Sequence, residues 1–351
     1  MRKYIKLGIG VLFTALFLYL SYKRVGSLGL KAAMAYPINY LLILISVIFF
    51  VLSQWFRALA WSRGMDREFE SLRVFKAVCI GNGTNMVMPF RLGEAARIAV
   101  LGNGKSRSYA NAGVCLLVER LTDIIILMTL AVGAVFFINF SESILNKIEE
   151  LRNFIMVVVV LALLAGGSMI WIKRTGRNDF SWLCDNALAA RVISIIQQIQ
   201  VFKSPVNLLK AAGFLFVSWS CVYFCTLAGI LSVGLDMSKA LSGALAVLIL
   251  TNLAMLIPAA PGGIGVFQYA CIYALGVLGI GGTAAAVLSV LLHIVQYAAL
   301  LPLALYFVFT EKMVFKNKNL TMIDNNSQLS DDMEPDEEMD NGEGTKAGDA
   351  N

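Results

Sequence analysis

The chain has 351 residues, of which 58% are hydrophobic and only 15% are charged, and its net charge is +6. Its mean hydropathy is +0.73. In a soluble domain, about a quarter of all residues are charged, so this chain has too little polar surface to face water. We therefore expect the bilayer to be its main solvent. Because the apolar runs are long and do not alternate with polar residues, they predict membrane-spanning helices.

Six apolar runs reach or nearly reach the length of about 20 helical residues that a membrane crossing requires. They cover residues 5–22, 38–60, 112–138, 153–172, 207–233 and 283–309. The first run follows a basic N-terminus, as in a signal peptide. It ends at Tyr22, Lys23 and Arg24 without a small-residue cleavage site. We therefore expect an uncleaved first helix.

Two further apolar stretches are interrupted by proline and glycine. The first covers 75–88 and stops at Pro89, which leaves about 21 Å of helix, too short to cross. The second covers 241–257, and a proline- and glycine-rich segment separates it from an apolar run over 266–279. We interpret both as re-entrant hairpins, although the second also fits two short crossings. The predicted fold is an all-α polytopic membrane protein with six full transmembrane helices and two re-entrant hairpins.

Lysine and arginine are distributed unevenly between the two predicted sides. With the N-terminus inside, the inner segments are 1–6, 57–110, 173–210 and the C-terminal tail. These segments hold 22 Lys and Arg residues, and the outer segments hold 6. Because basic loops stay on the cytoplasmic side, the sequence predicts a multi-pass protein of the cell membrane with both termini in the cytoplasm.

Reporter fusions measure this orientation directly. Fusions after residue 30 and after residue 145 should report an outside location, because both points lie in predicted outer loops. Fusions after residue 185 and at the C-terminus should report an inside location. Alkaline phosphatase, which is active only outside, makes the measurement. An outside signal at residue 185 would overturn the predicted orientation.

The two halves of the membrane region repeat one order of elements. Residues 1–139 and 153–310 each run helix, helix, interrupted hairpin, helix, and the two hairpins enter from opposite sides. This order predicts an inverted-topology repeat, which places a binding site at broken helices near the membrane midplane. The transmembrane domain should cover 1–318. Residues 319–351 hold ten acidic residues against Lys346 and should form a disordered acidic cytoplasmic tail.

Two clusters place charged groups where apolar groups would cost less. The first lies at the end of the first hairpin and contains Asn85, Arg91, Glu94 and Arg97. The i,i+3 spacing of its charged residues predicts one shared helix face. The second lies inside a predicted crossing and contains Glu119, Arg120 and Asp123. Since an unpaired charge at the bilayer centre costs about 2.5–3.5 kcal/mol, these side chains should face the bundle and pair.

A third cluster follows the second hairpin and contains Pro261, Gly262, Gly263, Gly265 and Gln268. Its glycines allow a half-helix to begin with free backbone N–H groups. Such groups favour anions, including phosphate. The third cluster therefore predicts a place where anionic oxygen atoms bind.

The residues alone leave two roles open: the charges bind a substrate, or they form a buried network that only fixes helix packing. An acid–base role for Glu119 and Asp123 lacks an accompanying nucleophile, metal-ligand set or nucleotide motif, so we expect neither enzyme activity nor a cofactor. Cys221 and Cys225 are spaced i,i+4 but are interpreted as core residues. The chain has a single histidine, His293, without a nearby acidic partner, and we expect it to be a packed polar group.

The three clusters, in this order and with this hydropathy, resemble the flippase-like membrane domain of lysylphosphatidylglycerol synthases. The resemblance covers about residues 1–315. It implies translocation of a polar lipid with an anionic or polyprenyl-phosphate headgroup, with all the cluster residues named above as substrate-binding residues. The chain lacks a soluble synthase domain, so aminoacyl transfer is not implied. It also has Gln268 where family members often have an acidic residue.

Two alternative functions stay open. One is a secondary transporter of a soluble anion, and the other is a non-transporting membrane partner of a glycosyltransferase or lipid synthase. A groove open to the membrane would favour a lipid substrate, and a sealed central cavity would favour a solute. Anionic membrane lipids are the expected partners of the leading hypothesis, and nucleic acid is not an expected partner.

Overall fold

The computed structural model describes residues 19–21, 23, 36–66, 69–88, 91–102, 106–137, 205–255 and 261–331. The helices are α1 (Tyr40–Leu59), α2 (Ser71–Val87), α3 (Leu92–Gly102), α4 (Ser106–Phe137), α5 (Pro205–Leu231), α6 (Met237–Ala254), α7 (Val266–Val277) and α8 (Gly282–Asp331). Most of the predicted crossing at 5–22, and all of the one at 153–172, lie outside the described residues.

The predicted fold class, an all-α polytopic membrane protein, is confirmed, because the described elements are helices and several of them can cross a membrane. Four helices in the described part are long and apolar enough to cross a membrane: Tyr40–Met65, Val206–Leu231, Met237–Ala254 and Gly282–Thr310. The helix α7 is apolar but shorter, with 12 residues. By its length of 18 residues, α6 fits the short-crossing alternative for the second interrupted stretch.

The two interrupted stretches form two pairs of short helices. The first stretch forms α2 and α3, and the second forms α6 and α7. In each half, a long helix precedes the pair and another follows it, so the described elements agree with the order expected for the repeat. The helix α2 ends at Val87, two residues before Pro89 in the sequence, and α6 ends at Ala254, before the proline- and glycine-rich segment. Proline removes a helix donor and glycine allows unusual backbone angles, which agrees with helices that end there.

The helices α1 and α5 are antiparallel partners along their whole length. Four contacts join them in one register: Asn39 with Ser232, Ser46 with Cys225, Ser53 with Ser218, and Gly64 with Ala211. The first three are hydrogen bonds of 2.7–2.8 Å to backbone carbonyls. Such bonds let small polar residues hold apolar helices together inside a membrane. The predicted core role of Cys225 agrees with this position, where it is buried beside Ser46.

Glycines allow α2 to approach both α3 and α8 closely. A Cβ added at Gly93 of α3 would lie 1.8 Å from the Gly81 carbonyl oxygen of α2, far inside van der Waals contact. A Cβ added at Gly83 would lie 2.3 Å from Cβ of Ala304 on α8. Asn85 also joins the pair, because its Oδ1 accepts the Gly93 N–H at 2.8 Å. The first hairpin is therefore held by backbone packing rather than by large side chains.

An apolar core joins α5, α6, α7 and α8, and it includes Leu127 and Ala134 of α4. Two compact units divide the chain, Met1–Phe307 and Val308–Asn351. The helix α8 continues past residue 319 to Asp331, so its last part lies in the segment predicted to be a disordered tail. Residues 332–351 lie outside the described part of the chain, and the disorder of the tail stays a prediction.

Candidate functional site: a two-layer charge network

Glu119 of α4 is the centre of a buried charge network. Its side chain is fully buried and accepts hydrogen bonds from three residues of two other segments. Arg97 Nη1 of α3 lies 2.9 and 3.0 Å from the two carboxylate oxygens, and Trp61 Nε1 donates to Oε2 at 2.6 Å. Arg57 Nη1 of α1 lies 2.9 Å from Oε1. These contacts satisfy a carboxylate that could not otherwise stay charged in hydrocarbon.

Asp123 lies one helical turn after Glu119 and shares Arg57 with it. Arg57 Nη1 donates to Asp123 Oδ2 at 2.8 Å, and Trp219 Nε1 of α5 donates to Oδ1 at 2.8 Å. The Trp219 ring also packs against the Arg57 guanidinium at 5.9 Å. We call Arg57, Arg97, Glu119 and Asp123 the buried layer. It contains two positive and two negative side chains, so it is electrically balanced.

Amide side chains extend the buried layer between α2 and α1. Arg97 Nη2 donates to Asn82 Oδ1 at 3.1 Å, Asn82 Nδ2 donates to Gln54 Oε1 at 2.8 Å, and Gln54 Nε2 donates to Ser53 Oγ at 2.8 Å. Each side chain in this series of hydrogen bonds is held by the next side chain. The network therefore ties four helices, α1 to α4, to one another through polar side chains.

Arg91, Glu94 and Arg120 form a second layer that is open to the surroundings, which we call the accessible layer. The side chains of Arg120 and Glu94 are 37% and 31% exposed, and Arg120 Nε lies 3.3 Å from Glu94 Oε1. Arg120 also lies 3.3 Å from Glu119 and 3.5 Å from Asp123. Arg91 is exposed and interacts electrostatically with both Glu94 and Arg120. With two positive side chains and one negative side chain, this layer carries a net charge of +1.

Arg91 does not share the helix face predicted for it with Glu94 and Arg97. It lies in the turn before α3, with a φ of 52°. A non-glycine residue rarely adopts this left-handed conformation. The turn lets the Arg91 guanidinium donate to the Met255 carbonyl at the end of α6. Arg91 therefore connects the break of the first hairpin to the break of the second.

The sequence did not identify Arg57, Trp61 and Trp219 as members of the site, whereas Asn82 stands at the start of the stretch that holds the first cluster. Arg57 ends an apolar run and was counted with the basic residues of the inner side, although it lies within the predicted crossing. Trp61 lies in a π-helical turn, Ala60–Met65, that continues α1. Such π turns often occur at functional sites. The signal available in the sequence is an arginine within a predicted crossing, four residues before a tryptophan.

The glycine-rich turn is held by side chains of α7 and α8. Gly262, Gly263 and Gly265 all have positive φ angles, of 66°, 68° and 88°. The Gly265 N–H, which was expected to be free, donates to Gln268 Oε1 at 2.7 Å. Gln268 Nε2 lies 2.8 Å from His293 Nδ1, and His293 Nε2 lies 3.0 Å from the Gly262 carbonyl oxygen. Thus His293 is packed, as predicted, but it also fixes this turn.

The two breaks meet near the turn. Tyr297 of α8 donates from its hydroxyl to the Met86 carbonyl of α2 at 3.2 Å. A Cβ added at Gly262 would lie 1.9 Å from the same hydroxyl and 3.1 Å from the Met86 carbonyl oxygen. The structure therefore brings the first hairpin close to the glycines of the third cluster. The side chain of Pro261 lies outside the described residues.

A groove of about 490 Å³ lies between α4, α5 and α6. Its walls are mostly apolar and aromatic, and Trp219 forms part of its inner wall. Three residues of the rim, Phe216, Phe224 and Leu241, are 57%, 45% and 43% exposed. The groove is thus open to the outside of the helix bundle, and its inner wall belongs to a residue that binds Asp123.

The model of one protein family, described as the lysylphosphatidylglycerol synthase TM region, matches residues 7–304 of the chain. The matched range includes both layers of the network, the two breaks and the groove. The chain belongs to the lysylphosphatidylglycerol synthase TM region family. A search of curated proteins and a search of solved structures found no match.

Membership of the lysylphosphatidylglycerol synthase TM region family confirms the resemblance that the three clusters predicted. It also makes the chain a multi-pass membrane protein of a lipid-related family. All the site residues predicted from the clusters lie within the matched range, but the match itself assigns no role to any of them. The roles of this family member's residues therefore depend on the geometry described above.

Proposed function

We propose that the chain moves a polar lipid with an anionic or polyprenyl-phosphate headgroup between the two leaflets of the cell membrane. The accessible layer is the observation that carries this proposal. Arg91 before α3 and Arg120 on α4 are set against a single carboxylate, Glu94 of α3. A bound phosphate supplies the negative charge that this layer lacks.

The geometry around Arg120 favours exchange of Glu94 for a phosphate. Ion pairs with ideal geometry have N–O distances of about 2.7–2.9 Å, and the contacts of Arg120 with carboxylates are 3.3–3.5 Å. Its Nε is buried and makes no hydrogen bond within the described part of the chain. A phosphate oxygen gives this N–H a partner that Glu94 does not. Glu119 and Asp123 then hold Arg120 in place from the buried layer.

The residues of the buried layer act through position in this proposal. Arg97 is almost completely buried and both of its Nη atoms already have partners. Its Nε makes no hydrogen bond within the described part of the chain, but the whole side chain is only 1% exposed. It therefore holds Glu119 and does not meet the headgroup. This role differs from the direct phosphate contact expected from the resemblance. Gly265 likewise holds the turn between the breaks, because Gln268 takes its N–H.

The groove between α4, α5 and α6 supports a lipid substrate over a soluble anion. Its rim consists of exposed phenylalanine and leucine side chains on membrane helices. A solute needs a sealed polar path, and a lipid needs an apolar path for its tails beside a polar path for its headgroup. The groove and the accessible layer together provide the second arrangement.

Lipid scrambling in liposomes tests the proposed function. The protein is inserted into vesicles that contain fluorescent phosphatidylglycerol, and dithionite measures how fast the label leaves the inner leaflet. The variant Arg120→Gln should lower translocation about tenfold or more, because a hydrogen bond to a charged group contributes about 1.5–3 kcal/mol. Its thermal stability should change little, since half-exposed ion pairs contribute about 0–1 kcal/mol.

Two further variants make the result specific. Glu94→Gln removes the carboxylate that competes with phosphate, so it should increase binding of the labelled lipid. Lys239→Gln removes an exposed positive charge of α6 outside the network and should leave translocation unchanged. A folded Arg120→Gln variant that moves lipid at the wild-type rate would exclude the accessible layer from the function.

A further inference from the structure

We propose that the groove between α4, α5 and α6 binds one hydrocarbon chain of a membrane lipid. We propose also that Trp219 contacts both the bound hydrocarbon chain and the charge network. The inference extends the proposed lipid translocation, on which its biological meaning rests. It assigns the apolar part of the substrate to a place on the protein. The groove residues come from two predicted crossings and the second hairpin, and none of them was among the predicted site residues.

The first argument is that three of the four hydroxyl groups that line the groove, those of Ser220, Tyr223 and Ser242, already have partners. The hydroxyl of Ser220 donates to the Phe216 carbonyl at 3.0 Å, and that of Tyr223 donates to the Leu241 carbonyl at 3.2 Å. The Ser242 hydroxyl donates to carbonyls of its own helix at 3.2 and 3.3 Å. These groups do not require a polar ligand. The walls therefore favour hydrocarbon over a headgroup or a soluble anion.

The second argument is the position of the groove on the bundle. The exposed rim residues Phe216, Phe224 and Leu241 belong to helices of membrane-spanning length. In a bilayer, a concave apolar surface of this kind faces lipid chains rather than water. A volume of about 490 Å³ lies within the range of pockets that bind small molecules. A hydrocarbon chain of a lipid can fill such a groove by contacting its apolar side chains.

The third argument is continuity with the charge network. Asp123, Ile126 and Leu130 of α4 have i, i+3, i+7 spacing and so lie on one helix face. Ile126 and Leu130 line the groove, and Asp123 accepts the indole N–H of Trp219. Arg120 precedes Ile126 by about 9 Å along the helix axis. A lipid whose chain lies in the groove can therefore place its headgroup near the accessible layer.

Trp219 is a positioning residue in this arrangement. Its ring forms one wall of the groove and also packs against Arg57, and its N–H binds Asp123. A lipid hydrocarbon chain that enters or leaves the groove contacts the Trp219 side chain, which also contacts Arg57 and Asp123 of the buried layer. Occupation of the groove and the geometry of the network are therefore linked through one side chain.

Photo-crosslinking tests the inference without requiring translocation. The full chain carries benzoylphenylalanine at position 241 in place of Leu241, in vesicles of phosphatidylglycerol and phosphatidylethanolamine. We expect mass spectrometry to find a covalent adduct with a lipid acyl chain. The variant Ser242→Phe places a ring in the groove and should reduce adduct formation about tenfold, which corresponds to about 1.4 kcal/mol of binding free energy. The control Val290→Phe adds the same ring at an exposed position of α8 and should not reduce it.

The outcomes separate this inference from the proposed function. In the Arg120→Gln background, the adduct should persist although translocation falls about tenfold or more, because the groove does not need the headgroup contact. If the wild-type protein forms the adduct but does not move lipid between leaflets, the proposed function is refuted and this inference is not. The inference is refuted if position 241 crosslinks to another segment of the chain or to a second copy. It is also refuted if Val290→Phe lowers the adduct as much as Ser242→Phe.

Discussion

Replacing Glu119 with leucine should lower the free energy of unfolding by about 3–5 kcal/mol, the cost of breaking a buried ion pair by removing one partner. Arg97 loses its carboxylate, and Arg57 keeps only Asp123. The indole N–H of Trp61 also loses its acceptor, which costs about 1–3 kcal/mol when it stays buried. Thermal and chemical unfolding in detergent measure the change.

The accessible layer offers a matched control for this substitution. Glu94→Leu makes the same chemical change at a half-exposed position, and it should cost less than about 1 kcal/mol. The double variant with Glu119→Leu and Arg97→Met should lose less stability than the two single variants together, by about 0.5–3 kcal/mol. Equal destabilisation by Glu119→Leu and Glu94→Leu would show that the two-layer division has no energetic meaning.

Replacing Gly93 with alanine should prevent accumulation of folded protein in the membrane. The added methyl group meets the Gly81 carbonyl oxygen at 1.8 Å and Asn85 Oδ1 at 2.7 Å, and the first of these contacts is with backbone. The two helices have to separate to accept it. Separation moves α3, and with it both Arg97 and Glu94, away from α4. Quantitative immunoblotting of membranes, with size-exclusion chromatography in detergent, measures the yield of folded protein.

Gly113 provides the control for helix propensity. It lies within α4, and a Cβ added there meets no atom within 4 Å. Gly113→Ala should therefore be neutral or stabilise the protein by up to about 1 kcal/mol, because alanine favours helix more than glycine does. If Gly93→Ala accumulates and elutes like the wild-type protein, the close packing of α2 on α3 is wrong.

The lengths of the apolar runs predicted where helices lie better than where they end. The run at 112–138 corresponds to α4, but the helix begins at Ser106. Hydropathy detects the part of a helix that is in hydrocarbon, and a helix continues into polar surroundings as long as its backbone bonds are satisfied. The same reason explains why α2 begins at Ser71, before the predicted apolar stretch at 75.

The sequence clusters named three of the four residues of the buried layer, Arg97, Glu119 and Asp123. The i,i+4 spacing of Glu119 and Asp123 places them one turn apart on α4, and both are buried in the network. Their partner Arg57 is 66 residues from Asp123 in the chain. No local pattern joins such distant residues. At the end of an apolar run, an arginine also fits a side chain that extends to the membrane surface, which concealed its buried role.

The glycine-rich turn has one permitted arrangement of protons. The Gly265 amide can only donate and the Gly262 carbonyl can only accept, so both ends of the chain through Gln268 and His293 are fixed. The amide of Gln268 then has a single orientation, and the imidazole is neutral with its proton on Nε2. A second proton on the ring would face the Gln268 NH2 group, and rotation of that amide would move the clash to Gly265. Uncharged groups therefore hold the glycine-rich turn in place. His293 can accept a second proton only after the hydrogen bonds of the turn have broken.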